Sequence, residues 1–340
     1  MAQANDNGGA HRFAPLPGLF TATLKTIGSI AVTMLGLVFI TFIIGRVMPI
    51  DPVLAIVGER ASQSTYEAVY LQLGLDKPVI VQFAYYVWDV MQGDFGMSLL
   101  NARPVSEDIA RVFPATLELA TLGVFFGIVL GVPLGVVAAV RKGSWIDQVA
   151  RVVALVGYSM PIFWLGLMGL LVFYGMLGWV GGPGRVGIFY EDIVPSVTGM
   201  ILVDSILDRN WTVLKDAFSH IVLPASLLGY YSLAYISRMT RSFMLEQLSA
   251  EYITTARVKG MSEWDVVWKH AFRNIRVQLI TVIALSYAGL LEGSVLTEII
   301  FSWPGIGSYI TTALLSADMN AVLGGTVVVG LVFILLNIFS

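Results

Sequence analysis

The 340-residue chain contains no cysteine, and its three histidines, His11, His220 and His270, lie far apart. The first absence excludes disulfides, thiol catalysis and thiolate metal sites. The second leaves no His-Glu-x-x-His zinc motif, and there is no Gly-x-Ser-x-Gly nucleophile elbow. Charge is scarce as well: Asp, Glu, Lys and Arg make up 13% of the residues, about half the share of an average soluble domain. A net charge of -3 provides no basic field for nucleic acid. No Gly-x-x-x-x-Gly-Lys-Ser/Thr loop is present, so the chain lacks that means of cradling ATP phosphates. What it has in abundance is apolar surface, with 56% hydrophobic residues and a mean hydropathy of +0.79. Such a composition points to a bilayer as solvent.

A helix needs about 20 apolar residues to cross roughly 30 Å of hydrocarbon. Six runs meet that need: Ile27 to Met48, Ala115 to Val140, Val152 to Val180, Ile221 to Ile236, Val277 to Phe301 and Ala321 to Phe339. The fourth reaches full length only when Ala217 to Met244 is read as one helix with polar ends. Arg46 sits near the end of the first run and can snorkel. Met1 to Gly18 is polar and rich in Pro and Gly, without a cleavage site of small residues, so the first run is read as a retained span. The expected fold is an all-α multi-pass membrane protein with six transmembrane helices. Residues 1–25 form a tail, 26–49 the first span and 50–112 a long outer loop. Residues 113–340 form a core with spans near 114–140, 150–180, 217–244, 277–301 and 321–340.

Basic residues between spans set orientation. Arg141 to Arg151 carries Arg141, Lys142 and Arg151 against Asp147, and Arg238 to Arg276 carries seven Lys/Arg against four Asp/Glu. Asp51 to Arg111 has four basic and eight acidic residues, Arg185 to Asp216 three and five, and Ser302 to Asn320 a single Asp. The first two segments are therefore expected in the cytoplasm and the last three outside, which puts both termini in the cytoplasm.

Gly123, Gly127, Gly131 and Gly135 recur at every fourth position of the second run, a seam that lets another backbone approach closely. Pro133 and Pro161 are candidate kinks. Three carboxylates fall within the runs. Glu118, soon after Pro114, is read as complementing a helix dipole. Glu292 and Glu298 are read as pathway candidates, because ionisable groups in a span are functional hypotheses by default. In the outer loop, Asp76, Tyr85, Trp88 and Asp94 mark a candidate docking surface, although headgroup anchoring would explain the aromatics equally well. Between the fourth and fifth runs, residues 245–276 form two short helices. Leu245, Leu248, Tyr252 and Ala256 recur at helical spacing, Gly260 ends the first helix, Ser262 and Asp265 restart a second, and Trp264, Trp268 and Ala271 share a face. The apolar stripe has no evident core of its own and is expected to dock on the membrane surface or on a partner.

Glu251-Tyr-Ile-Thr-Thr-Ala-Arg-Val-Lys-Gly260, followed by His270-Ala-Phe-Arg-Asn274, resembles the cytoplasmic coupling loop of ABC-importer permeases, and more closely the dipeptide/oligopeptide/nickel permease family. Leu73 to Pro78, Gly93 to Gly96, Pro114 to Ala120, Gly157 to Trp164 and Thr297 to Gly307 follow in family order. Gly157 to Trp164 and Thr198 to Asp204 look most like the dipeptide-type first permease subunit. The chain departs from the family pattern at Thr254-Thr255-Ala256, where Glu-Ala-Ala is usual, and at Gln278, where proline is frequent.

The resemblance implies a type I ABC importer permease in the bacterial cytoplasmic membrane. It implies pairing with a second homologous permease, two cytoplasmic ATPases that carry ATP and Mg, and an extracytoplasmic solute-binding protein. No cofactor is expected on this chain. Glu251, Tyr252, Thr255, Ala256, Arg257, Lys259 and Gly260 would form the ATPase-coupling loop. Two other readings come from the residues themselves. One is a stand-alone secondary transporter or channel, disfavoured by the thin supply of intramembrane charge. The other is an intramembrane enzyme, disfavoured by the scattered histidines.

Overall fold

Proline decides where several of the spans begin and break. In the computed structural model, which describes residues 17–47, 51–58, 60–316 and 318–339, helix α1 spans Pro17–Val47. It thus begins inside the segment expected to be a tail. The rest of that tail, residues 1–16, and the side chain of Arg46 lie outside the described residues.

The long loop between the first two apolar runs, expected on the outer side, is folded. Helix α2 (Pro52–Val57) is capped by Asp51, which accepts from the amides of Val53 and Leu54. The Tyr66 hydroxyl also donates to Asp51 at 2.7 Å, and this bond holds the carboxyl below its ordinary range. Helix α3 (Gln63–Gln72) starts at Ser62. Helix α4 (Val79–Met91) packs its aromatics on α1, with Phe83 5.2 Å from Phe39 and Tyr86 stacked at 5.9 Å on Phe42.

Helix α5 runs over Val105–Val140, starting nine residues ahead of Pro114. Pro104 is its N-cap, and Glu107 and Asp108 occupy its first turn, where carboxylates complement the helix dipole. The helix continues through Pro114 and Pro133. Glu118 is consequently well inside a helix, and the reading that set it in a first turn does not hold.

The third apolar run is not one straight span. Helix α6 (Trp145–Ser159) is capped by Ser144, and helix α7 (Ile162–Gly169) continues as a wider π turn over Leu170–Met176. The two segments meet at 98°. The cause is Pro161: the residue before a proline is pushed out of the α region, and Met160 is extended at φ -87°, ψ 131°. Among the described residues, five helices are long and apolar enough to cross a bilayer, and the bent pair makes a sixth if it counts as one span.

A short helix, α8 (Ile201–Leu207), precedes α9 (Trp211–Leu248), the central helix. The glycine seam of α5 closes on α9 almost backbone to backbone. A Cβ at Gly123 would meet Leu228 Cβ at 2.9 Å, one at Gly135 would meet the Ser237 carbonyl oxygen at 2.6 Å, and one at Gly127 would overlap the Ser232 side chain. This is the close packing that small residues allow in lipid. Beyond α9 come α10 (Glu251–Val258), α11 (Glu263–Asp265), a π turn over Val266–Ala271 and α12 (Phe272–Ile300). Helices α13 (Ile306–Leu315) and α14 (Met319–Phe339) complete the chain.

Candidate coupling surface

The loop after α9 has a core. Ile253 and Ala256 of α10, Val266, Val267 and Ala271 of the π turn and Ile275 of α12 are buried together against Val136 and Ala139 of α5 and Met244 of α9. Leu245, Leu248 and Trp268 pack on the edge of this cluster. The expectation of a stripe without a core is therefore corrected, since the last turns of α5 supply the missing wall. The stripe anchors the loop, and the opposite face is what remains for a partner.

That face is polar with one apolar tip. Glu251, Tyr252, Thr254, Thr255, Arg257, Val258, Lys259 and Gly260 are exposed, Val258 at 83%. The Tyr252 hydroxyl donates to Gln247 Oε1 at 2.8 Å and accepts from Asn274 Nδ2 at 2.9 Å, tying α10 to both long helices. The Thr255 hydroxyl donates to the Glu251 carbonyl at 3.1 Å. Gly260, at φ +77°, closes α10 as a Schellman motif: its amide donates to Arg257 O at 3.0 Å, and that of Met261 donates to Ala256 O at 3.3 Å. Arg257 is already engaged, with Nε 2.8 Å from Glu263 Oε1, which raises the guanidinium pKa further. Lys259 is exposed and makes no ion pair among the described residues.

Of the seven residues expected to couple, six lie on this exposed face. Ala256 is 6% exposed and belongs to the loop's own core. Val258 was missed. Its sequence signal is an apolar side chain that falls off the periodic stripe.

The two expected pathway carboxylates have opposite surroundings. Glu298 is completely buried near the end of α12. Its Oε1 accepts from Thr116 Oγ1 at 2.7 Å and Ser294 Oγ at 2.9 Å, and its Oε2 accepts from the Ser308 amide at 2.8 Å. Thr116 Oγ1 in turn accepts from the Ile306 amide, and Trp303 Nε1 donates to the Ala115 carbonyl. The whole Thr297 to Gly307 motif thus latches the end of α12 onto α5. Glu292, by contrast, is exposed beside Gly289 and Gly293, where an added Cβ would meet nothing within 4 Å. Glu118 is buried and pairs with Arg185 at 2.6 Å while accepting from the amides of Ile201 and Leu202, so it fixes the start of α8.

In the outer loop, Tyr85 and Trp88 are 53% and 59% exposed on α4, and the Lys77 ammonium lies 4.3 Å over the Tyr85 ring. Asp76 is exposed in the turn before α4. Asp94, also exposed, accepts from the Gly96 amide at 2.8 Å. The α4 face that does not touch α1 therefore carries all of this loop's large exposed aromatics. Among the described residues no cluster of three or more His, Asp or Glu could hold a metal ion.

Apolar helices in this number, a latched bundle and a projecting loop with its own core define a multi-pass helical membrane protein. Residues 131–340 match the family model for the binding-protein-dependent transport system inner membrane component, and residues 20–120 match the N-terminal model of such membrane components. The chain belongs to this family of ABC-importer permeases. It is a transport subunit and not an enzyme, and membership implies ATPase and binding-protein partners. Similar proteins include the probable D,D-dipeptide transport system permease protein DdpB of Escherichia coli K12, 42% identical over 89% of each chain. The dipeptide transport system permease protein DppB of the same strain is 42% identical over 93% of this chain and 94% of its own. The di/tripeptide permease protein DppB of Pseudomonas aeruginosa is 42% identical over 92% and 93%. Among solved structures, an inward-facing MetNI methionine ABC transporter aligns with a TM-score of 0.46 at 17% identity, covering 66% of this chain and 91% of that one.

Proposed function

We propose that the chain carries dipeptides or short oligopeptides, delivered by an extracytoplasmic binding protein, across the bacterial cytoplasmic membrane. It does so as one half of a heterodimer with a second homologous permease, with both termini in the cytoplasm. The substrate class is supported by the names of relatives 42% identical over about nine-tenths of the chain. The energy comes from ATP and Mg on two partner ATPases.

The observation that carries the coupling reading is the face left exposed on α10. The apolar stripe is consumed internally, so Val258, Lys259 and Gly260 form a tip with nothing over it among the described residues. An apolar tip ringed by Arg257, Lys259 and two threonines suits insertion into a partner's groove. Buried Ile253 and Ala256 brace α10 against α5 and α9, so a push on the tip reaches the long helices. On the outer side, Asp76, Tyr85, Trp88 and Asp94 form the face offered to the binding protein. Glu292, on the open face of α12, is the pathway residue. Glu298 serves the pathway only by positioning α12.

The test is peptide uptake in proteoliposomes holding the complete transporter and its binding protein. Val258→Asp and Gly260→Leu should leave insertion intact and lower ATP-driven uptake by about tenfold or more, since a charge in an apolar socket costs several kcal/mol. Glu292→Gln should alter uptake without altering ATPase association. Wild-type uptake by the Val258 and Gly260 variants, or uptake that needs no ATP, would overturn the coupling reading. Uptake of nickel chelates in place of peptides would overturn the substrate.

A further inference from the structure

At the end of the bundle that carries the loop after α9, α5, α6 and α9 line an open cavity of about 370 Å³. Its lining combines small residues, Gly135, Ala138, Ala150 and Ala154, with three cations, Arg151, Arg238 and Arg241. Only one carboxylate answers the three arginines. Asp147 is bound in bidentate fashion by Arg241, at 2.6 and 2.9 Å, and lies 3.8 Å from Arg151. It also accepts from the Gly143 amide, so its oxygens are well occupied.

Arg238 has no acidic partner. Its guanidinium lies 4.7 Å over the Tyr158 ring and 5.9 Å over that of Tyr235, and it makes no ion pair or hydrogen bond to the protein among the described residues. Rings hold the plane of the guanidinium while leaving its donors free. Three arginines against one aspartate leave an excess of two positive charges in a space the size of a small headgroup.

The rim supplies the second half of a ligand. Along α6, next to the cavity, Trp145, Val149, Val152 and Leu155 are 73%, 50%, 57% and 65% exposed and follow helical spacing. A soluble anion would have no use for that stripe. An amphiphile has use for both, its phosphate on the arginines and its chains along α6. Basic pockets between helices on the cytoplasmic side are suited to anionic headgroups.

We propose that this cavity binds the headgroup phosphate of an anionic phospholipid from the cytoplasmic leaflet, with an acyl chain lying along α6. Because Tyr158 sits one residue before the Ser159 end of α6 and Arg238 sits on α9, such a lipid would bridge the bent pair to the central helix. The inference takes the leaflet from the proposed orientation but nothing from the proposed substrate.

The test uses the purified transporter in detergent, with phosphatidylglycerol or phosphatidylethanolamine added and bound lipid counted by native mass spectrometry. Phosphatidylglycerol should be retained in preference to phosphatidylethanolamine, and Arg151→Ala with Arg238→Ala should weaken its retention by about tenfold or more. Ser242→Glu, on the exposed rim, keeps every arginine contact and should weaken retention in the same direction, which covers the case of a double variant that fails to fold. Retention of phosphatidylglycerol by both variants at the wild-type level would overturn the proposal. So would displacement of the lipid by inorganic phosphate, which would mark a free-anion site, or by a dipeptide, which would assign the cavity to the transport path. Lipid retention is counted without ATP or a binding protein, so it can fail while uptake succeeds.

Discussion

Glu298 shows how a single carboxylate can be legible for its place in a helix and illegible for its partners. The sequence locates it at the end of an apolar run, where an ionisable group suggests a pathway. Its partners come from three places: Thr116 on α5, Ser294 one turn earlier and the Ser308 amide on α13. Only Ser294 is local, and it is an ordinary helix spacing. The other two are invisible without the fold. Removing the carboxylate takes the acceptor from the Ser308 amide and the Thr116 hydroxyl, while the Ser294 hydroxyl keeps the Leu291 carbonyl, at about 1–3 kcal/mol for each unsatisfied group. Glu298→Ala should therefore lower the thermal unfolding midpoint of the detergent-purified protein markedly, read by size-exclusion chromatography after heating. Glu298→Gln, which keeps one acceptor, should lower it less. Equal midpoints for wild type and Glu298→Ala would remove the latch from the account. Glu118 teaches the same lesson, since its Arg185 partner lies beyond the bent pair.

At the scale of elements, the long apolar runs were legible because hydrophobicity over about 20 residues needs no tertiary context. Their ends were not. The second run hid a start at Val105, because the first nine residues of α5 are amphipathic and Pro114 looks like a beginning. The third hid a 98° bend that Pro161 signalled as a kink without its size. The Gly260 cap and the Ser262 restart were readable from local chemistry, and the structure shows both, but the loop's bounds were not: α9 runs on through Leu248 and α12 begins at Phe272, inside the expected 245–276. Its core was not readable, because Val136 and Ala139 lie more than a hundred residues upstream of Ile253. The glycine seam was read as a close-approach surface, and its partner proves to be α9. Gly127→Leu forces a side chain into the Ser232 side chain, with the Leu233 amide only 3.2 Å from its Cβ. Overpacking of this kind costs about 1–3 kcal/mol or more, and where backbone blocks relief the helices must part. The variant should insert but yield little folded protein, measured as the monodisperse fraction after extraction. Normal yield and a normal unfolding midpoint would show that the seam has slack.

Across the whole molecule, the outer loop and the last two helices are stitched together. Asp318, completely buried between α13 and α14, accepts from the Ser98 hydroxyl at 2.5 Å and the Leu99 amide at 2.7 Å. Asn320 donates to the Met97 carbonyl at 2.9 Å. These bonds join segments some 220 residues apart and hold the turn that leads into α5. Asp318→Ala should free the segment around Ser98 while leaving α10 and its core untouched. Limited proteolysis should then cut near Asn101 to Arg103 faster than in wild type, with the coupling loop cleaved at an unchanged rate. Unchanged cleavage at both places would mean that the turn stands without its aspartate.

The glycine seam also sets an order of events during synthesis. Its two sides, α5 and α9, are separated by the bent pair, the outer segment with Arg185 and helix α8. Until Trp211–Leu248 has left the ribosome, the glycine face of α5 has no backbone to meet, and Glu118 waits for Arg185. The central contact of the bundle therefore cannot form before Trp211–Leu248 has been made, more than seventy residues after the end of α5.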